Sequence, residues 1–155
     1  MRAALVRIGA GVVVAGAVTA GGYAVAATGD ASPAAALGPG PVTVVVDVEH
    51  SRFLPSDLRV VQGTEVRFVL RNADPINHEL IVGPEDVHAR HRHGTEREHE
   101  PRDGELSVGP DGQGVTSFVF DAPGIVEMAC HLPGHYAFGM HGEIEVVAGA
   151  DVEAG

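Results

Sequence analysis

Apolar and polar residues alternate in short runs along most of this chain, and Gly, Pro or Asn closes the runs. Val44, Val46 and Val48 face one way, against Thr43, Asp47 and Glu49; Val66, Phe68 and Leu70 oppose Arg67 and Arg71. A period of two is the mark of a half-buried strand. Further strands are expected over residues 58–61, 78–82, 105–108 and 115–120, the last carrying Phe118 and Phe120 on one face. Two more follow at 125–130, with Val126, Met128 and Cys130 on a shared face, and at 142–147, with Ile144 and Val146 inward. Gln62-Gly63-Thr64, Asn72-Ala73-Asp74-Pro75 and Ala122-Pro123-Gly124 supply the turns. Seven or eight short strands, no core helix, 21 Gly and 10 Pro predict an all-β, Greek-key antiparallel sandwich.

The 155 residues suit one domain with room for a real core. That domain is expected over 41–149, with a tail at 150–155. At the front, Arg2 and Arg7 precede an apolar stretch from Ile8 to Val18, and Ala24-Val25-Ala26 offers a small-x-small cleavage pattern. Residues 1–26 therefore read as an export signal, with an uncleaved membrane anchor as the alternative. Residues 27–40, rich in Ala, Gly and Pro, read as a flexible linker. The formal net charge is −11, and all ten basic residues are Arg; removing the leader leaves 8 Arg against 21 acids. Such a surface argues against nucleic acid and for a basic face on any protein partner.

Cys130 is the sole cysteine. In an exported protein it has no intramolecular disulfide partner, so it is either buried inertly or held by a metal. Its surroundings favour metal. Cys130, His135 and Met140 form a C-x4-H-x4-M string, and His78 heads an apolar run far upstream. Two imidazoles, a thiolate and a weak thioether are the donors that suit mononuclear copper with a trigonal plane and a long axial bond. Structural zinc would want more Cys or His and has no use for Met. Pro133-Gly134 turns His135 back towards Cys130, and Gly139 lets Met140 approach. Met128 reads as core packing rather than as the thioether donor.

These residues resemble those of the cupredoxins, the blue copper proteins. The Cys-x4-His-x4-Met spacing and the Pro133-Gly134-His135 run are most similar to the rusticyanin and sulfocyanin branch. Phe53-x-Pro55, Gly63-Thr64-x-Val66, Asn77-His78 and Ala122-Pro123-Gly124 support the likeness, which covers about 41–148. It implies His78, Cys130 and His135 as equatorial ligands, Met140 as axial ligand, and one copper ion cycling between Cu(I) and Cu(II). One position departs. Where many members carry Asn or Ser after the first His, this chain has Glu79. Alternation points Glu79 away from the metal and leaves Asn77 to take over its role, while a red-copper variant of the family uses a carboxylate ligand.

Residues 83–104 differ in kind. His88, His91, His93 and His99 lie among Glu, Asp and Arg without an apolar period, which reads as a long surface loop or a short polar helix. His88 and His91 could share a helical face and hold a second copper; the reading adopted is a solvated polar segment. His131 and His141 are expected at the surface beside the metal, and His50 as structural or exposed. Leu132, Pro133, Tyr136, Ala137 and Phe138 make the ligand loop apolar, either as a docking patch for a redox partner or as a roof over the metal. The expectation is thus an exported, monomeric, non-enzymatic one-electron carrier. The alternative is a copper-handling protein that binds, delivers or sequesters the ion.

Overall fold

The computed structural model describes residues 35–94 and 100–149. Among the described residues, nine strands and one helix follow in order: β1 (Val42–Glu49), β2 (Arg52–Leu54), β3 (Leu58–Val61), β4 (Thr64–Asn72), β5 (His78–Gly83), α1 (Glu85–His93), β6 (Glu105–Val108), β7 (Gln113–Phe120), β8 (Gly124–Ala129) and β9 (His141–Val147). They form two sheets, β2-β1-β4-β7 and β3-β9-β8-β5-β6. The sandwich follows from the period-two pattern. Val44, Val46, Val48, Val66, Phe68, Leu70, Ile144 and Val146 all enter one core, closed by Phe120 and Met128.

Two pairings are parallel rather than antiparallel, β1 with β4 and β3 with β9. The reason is connectivity: the chain passes from one sheet to the other after β2 and again after β3, so each strand meets a partner entered from the same end. The linker expectation needs trimming. Leu37 bridges to Val60, takes a hydrogen bond from Val61 N–H and donates to the Arg59 carbonyl. The expected export signal, most of the linker and the tail from 150 onward lie outside the described residues.

The polar segment is partly helical and is not simply solvated. Helix α1 packs on β5, and His88 and His91 are buried at 1% and 9% exposure. Its polar side chains are buried because partners await them: His91 meets Glu105 at 2.8 Å and Glu79 at 3.5 Å, while Arg90 and Arg102 pair with the same Glu105. Burying charge is tolerable when it is paired and hydrogen-bonded. His99 lies outside the described residues. Among the described residues, no helix is long and apolar enough to cross a membrane.

Candidate metal centre

The site sits at one end of the sandwich, where β5 begins and where β8 hands over to β9. Strand β5 is buried along its whole length, and His78, its first residue, is fully enclosed. Strand β8 pairs with β5 through Ile81–Ala129 and Val82–Met128, which delivers Cys130 to the neighbourhood of His78. The chain then loops through His135 to Met140 and re-enters the sheet as β9.

Backbone hydrogen bonds shape that loop. Cys130 N–H donates to the Met140 carbonyl, Met140 N–H to His135, His135 N–H to Leu132 and Phe138 N–H to Gly134, each at 3.0 Å. Gly134 (φ 87°) and Gly139 (φ 91°) occupy the left-handed region that the two turns demand. The result brings His78, Cys130 and His135 together, with one donor atom from each lying within 4.8 Å of the others. Met140 is fully buried.

The donors are presented for an ion. His135 Nδ1 lies 3.3 Å from Cys130 Sγ. His78 Nε2 meets Asp74 Oδ2 at 3.0 Å, whereas its Nδ1 is buried without a hydrogen-bond partner. A carboxylate on the remote nitrogen fixes that nitrogen as N–H and leaves Nδ1 as a lone-pair donor. The site residues therefore fit a copper ion. Burial pushes the pKa of His78 down, and the nearby His135 adds to this, against the opposing pull of Asp74. Burial likewise lowers the pKa of His135. Both imidazoles are thus available in the neutral form that metal binding requires. For Cys130, burial pushes the thiol up to about 12, although the backbone amides of Glu79 and Leu132 hydrogen-bond its sulfur and oppose the rise.

Asp74 was read in the sequence only as part of a turn. It is more than that. Its carboxylate accepts the amides of His50 and Ser51, each at 2.8 Å, and these two residues hold left-handed backbone at φ 53° and 55°. Desolvation would raise its pKa, but the two amides and His78 outweigh it and hold Asp74 below the usual range. His50 is therefore structural through its backbone.

Glu79 does point away from the donors, as alternation implied. It is 2% exposed, and its Oε1 accepts the His131 amide at 2.7 Å. That contact places it behind the ligand loop. Asn77 is exposed. Met128 lies in the core opposite Val82 and Gly142. His131 departs from expectation: it is half-buried, 2.8 Å from His88 and stacked on Tyr136. His141 is exposed and stacks on the other side of Tyr136.

A family model of copper-binding proteins, the plastocyanin/azurin family, matches residues 41–147. The chain belongs to that family. The copper expectation holds, with one ion suited to the His-Cys-His group. The copper-resistant cuproprotein CopI of Rubrivivax gelatinosus is 31% identical over 105 residues, covering 66% of this chain and 64% of its own length. The protein of the same name from Pseudomonas aeruginosa is 26% identical over 127 residues, covering 61% and 70%. This chain thus spans somewhat under two thirds of the Rubrivivax relative. Reduced auracyanin from Roseiflexus castenholzii superposes with a TM-score of 0.56 at 24% identity, covering 68% of this chain and 96% of its own. That likeness speaks to the fold.

Proposed function

We propose that this protein is an exported one-electron carrier in which His78, Cys130, His135 and Met140 would hold one copper ion. The observation that supports this most is the unpartnered Nδ1 of His78, buried beside a thiol and a second imidazole. When bound, copper supplies a one-electron Cu(II)/Cu(I) couple and strong charge transfer from the thiolate. The chain's own contribution is rigidity. Asp74 orients His78, two amides address the sulfur, and the loop's hydrogen bonds fix His135 and Met140 in place. Donors that need not move between oxidation states keep reorganisation small.

Electrons would pass through the loop face. Phe138 is 71% exposed and Tyr136 39%, next to His135 in a strongly acidic chain. An apolar spot ringed by negative charge suits a transient redox partner with a basic docking face.

A second reading is copper handling, and one observation favours it: both relatives are called copper-resistant cuproproteins. One experiment separates the two. The protein is loaded with one equivalent of Cu(II) beside a Cys130→Ser control, cycled between oxidation states, and challenged with a copper acceptor. An intense visible band absent from the control, with reversible cycling at constant occupancy, supports the carrier. Rapid loss of copper to the acceptor supports handling, and a pale spectrum shared with the control overturns the ligand set.

A further inference from the structure

An open groove of about 670 Å³ lies between the last residues of β7, the turn into β8 and the start of α1. Gly83 lines it, at the far end of β5 from His78, so about 17 Å of strand separates that lining from the candidate metal centre. Two of its side chains are apolar and exposed, Val119 at 52% and Ile125 at 61%. Phe118, packed on the core, and Pro123 extend the apolar surface. Glu85, Asp121 and Glu127 add carboxylates, and no Arg lines the groove among the described residues, although Arg92 pairs with Glu85 from outside it. We propose that this groove docks an extended segment of a protein partner, one carrying aliphatic and basic side chains, which adds as a strand to the edge of β7 at Val119.

The backbone carries the first part of the argument. Strand β7 is the last strand of its sheet. On its outer side the Ser117 carbonyl accepts the Gly104 amide at 2.8 Å, while the Phe120 carbonyl accepts the Gly63 amide at 2.7 Å on the inner side. Backbone groups alternate in direction along an antiparallel strand, so Val119 turns its N–H and C=O outward, as Ser117 does. Among the described residues, the cover over this edge stops at Ser117. Natural sheet edges are blunted by charge, Pro or cover. Here the strand runs Phe118-Val119-Phe120 with none of them until Asp121.

Charge selects the occupant. The chain carries 21 acids against 10 Arg, so a second copy would press one acidic surface on another, which costs affinity. A basic, aliphatic strand has the opposite balance. Its main chain pairs at Val119, alternate side chains settle against Ile125 and Phe118, and the basic ones between them meet Asp121. Phe138 and His135 are left uncovered, so a partner held here leaves the loop face free for electron exchange. The groove is thus a holding contact and not a second electron port.

The test titrates the ¹⁵N-labelled full chain with a capped seven-residue peptide that alternates Val and Lys, and follows the backbone amides. Shifts are expected between residues 118 and 127 and not in the loop over 131–140. Affinity should fall about 10-fold in Ile125→Ser and about 3-fold in Asp121→Asn, both at exposed positions. A peptide with Pro in place of Val cannot donate the pairing N–H and should bind at least about 10-fold more weakly. A peptide alternating Val and Glu should give no shifts. Absence of binding, equal binding of the Pro peptide, or shifts spread over the acidic surface and unchanged in both variants would overturn the proposal. Sedimentation of the protein alone that shows a dimer, dissolved by Ile125→Ser, would overturn it in favour of a second copy. None of these readouts uses copper, so failure of the Cys130 centre would leave them intact.

Discussion

Asp74 and His78 meet carboxylate to imidazole at 3.0 Å, four residues apart, and the same carboxylate clamps the β1–β2 turn through His50 and Ser51. The pair joins the metal centre to the far sheet. On the outer nitrogen of a candidate copper ligand, a buried negative charge would stabilise the more positive oxidation state.

Replacing that charge should therefore move the potential. Asp74→Asn keeps a hydrogen-bonding side chain but loses the charge, and should weaken Cu(II) binding about 10-fold relative to Cu(I). Redox titration then reads a raised potential, with the visible band largely retained. An unchanged potential would confine Asp74 to holding the turn.

Glu105 gives a pH-dependent prediction. Burial pushes its pKa up, but hydrogen bonds from His91 and Arg90 outweigh this and hold it below its ordinary value of 4.5. A carboxylate with a depressed folded pKa contributes stability that is complete above its unfolded pKa and is lost as pH falls through the folded one. Glu105→Gln should cost about 2 kcal/mol at pH 7. The gap in melting temperature between wild type and variant should close on acidification below about pH 4.

Close approach rather than backbone strain governs Gly142. A β-carbon there would lie 1.8 Å from the Ser56 carbonyl oxygen and 3.1 Å from Met128 Cε. Gly142→Ala must displace β9 from its neighbour, at a cost of about 1–3 kcal/mol. Since Met140 lies two residues upstream, denaturant unfolding should show the loss together with a shifted visible spectrum.

The loop face can be tested without touching a donor. Phe138→Asp removes the most exposed apolar side chain beside His135 and should slow electron exchange with a basic redox partner by about 10-fold or more. The absorption of the loaded protein should not change. Stopped-flow kinetics identical to wild type would assign Phe138 to roofing the metal alone.

Much of this was legible in the chain because local rules and global packing agree there. Val44, Val66, Phe68 and Ile144 alternate in sequence and are buried in fact, and Cys130, His135 and Met140 lie within one short connection. The parallel pairings were not legible, since alternation reports which face is buried and is silent on strand direction. Nor was the enclosure of His88 and His91. Histidines with acidic neighbours read as surface, and what buries them is Glu79 and Glu105 on the flanking strands β5 and β6, with Glu127 on the more distant β8, a pairing that local pattern does not announce. Asp74 went unnoticed for a similar reason: an Asp before Pro is adequately explained by a turn. Its place four residues before His78 was the available clue.

Along the chain, β1 and β2 belong to one sheet, β3 to the other, β4 to the first, β5 and β6 to the second, β7 to the first, and β8 and β9 to the second. Several neighbours in space, β3 with β9, β4 with β7 and β5 with β8, are consequently far apart in sequence, a topology that folds slowly, on the order of milliseconds to seconds. The candidate ligands His78 and Cys130 are 52 residues apart and meet only once β8 has zipped onto β5. An ion held by both would therefore find its full donor set only in the assembled sheet. There it would act as a staple: separating those two strands would mean giving up the metal, so occupancy would raise the barrier to local opening and turn a topological weakness into kinetic resistance.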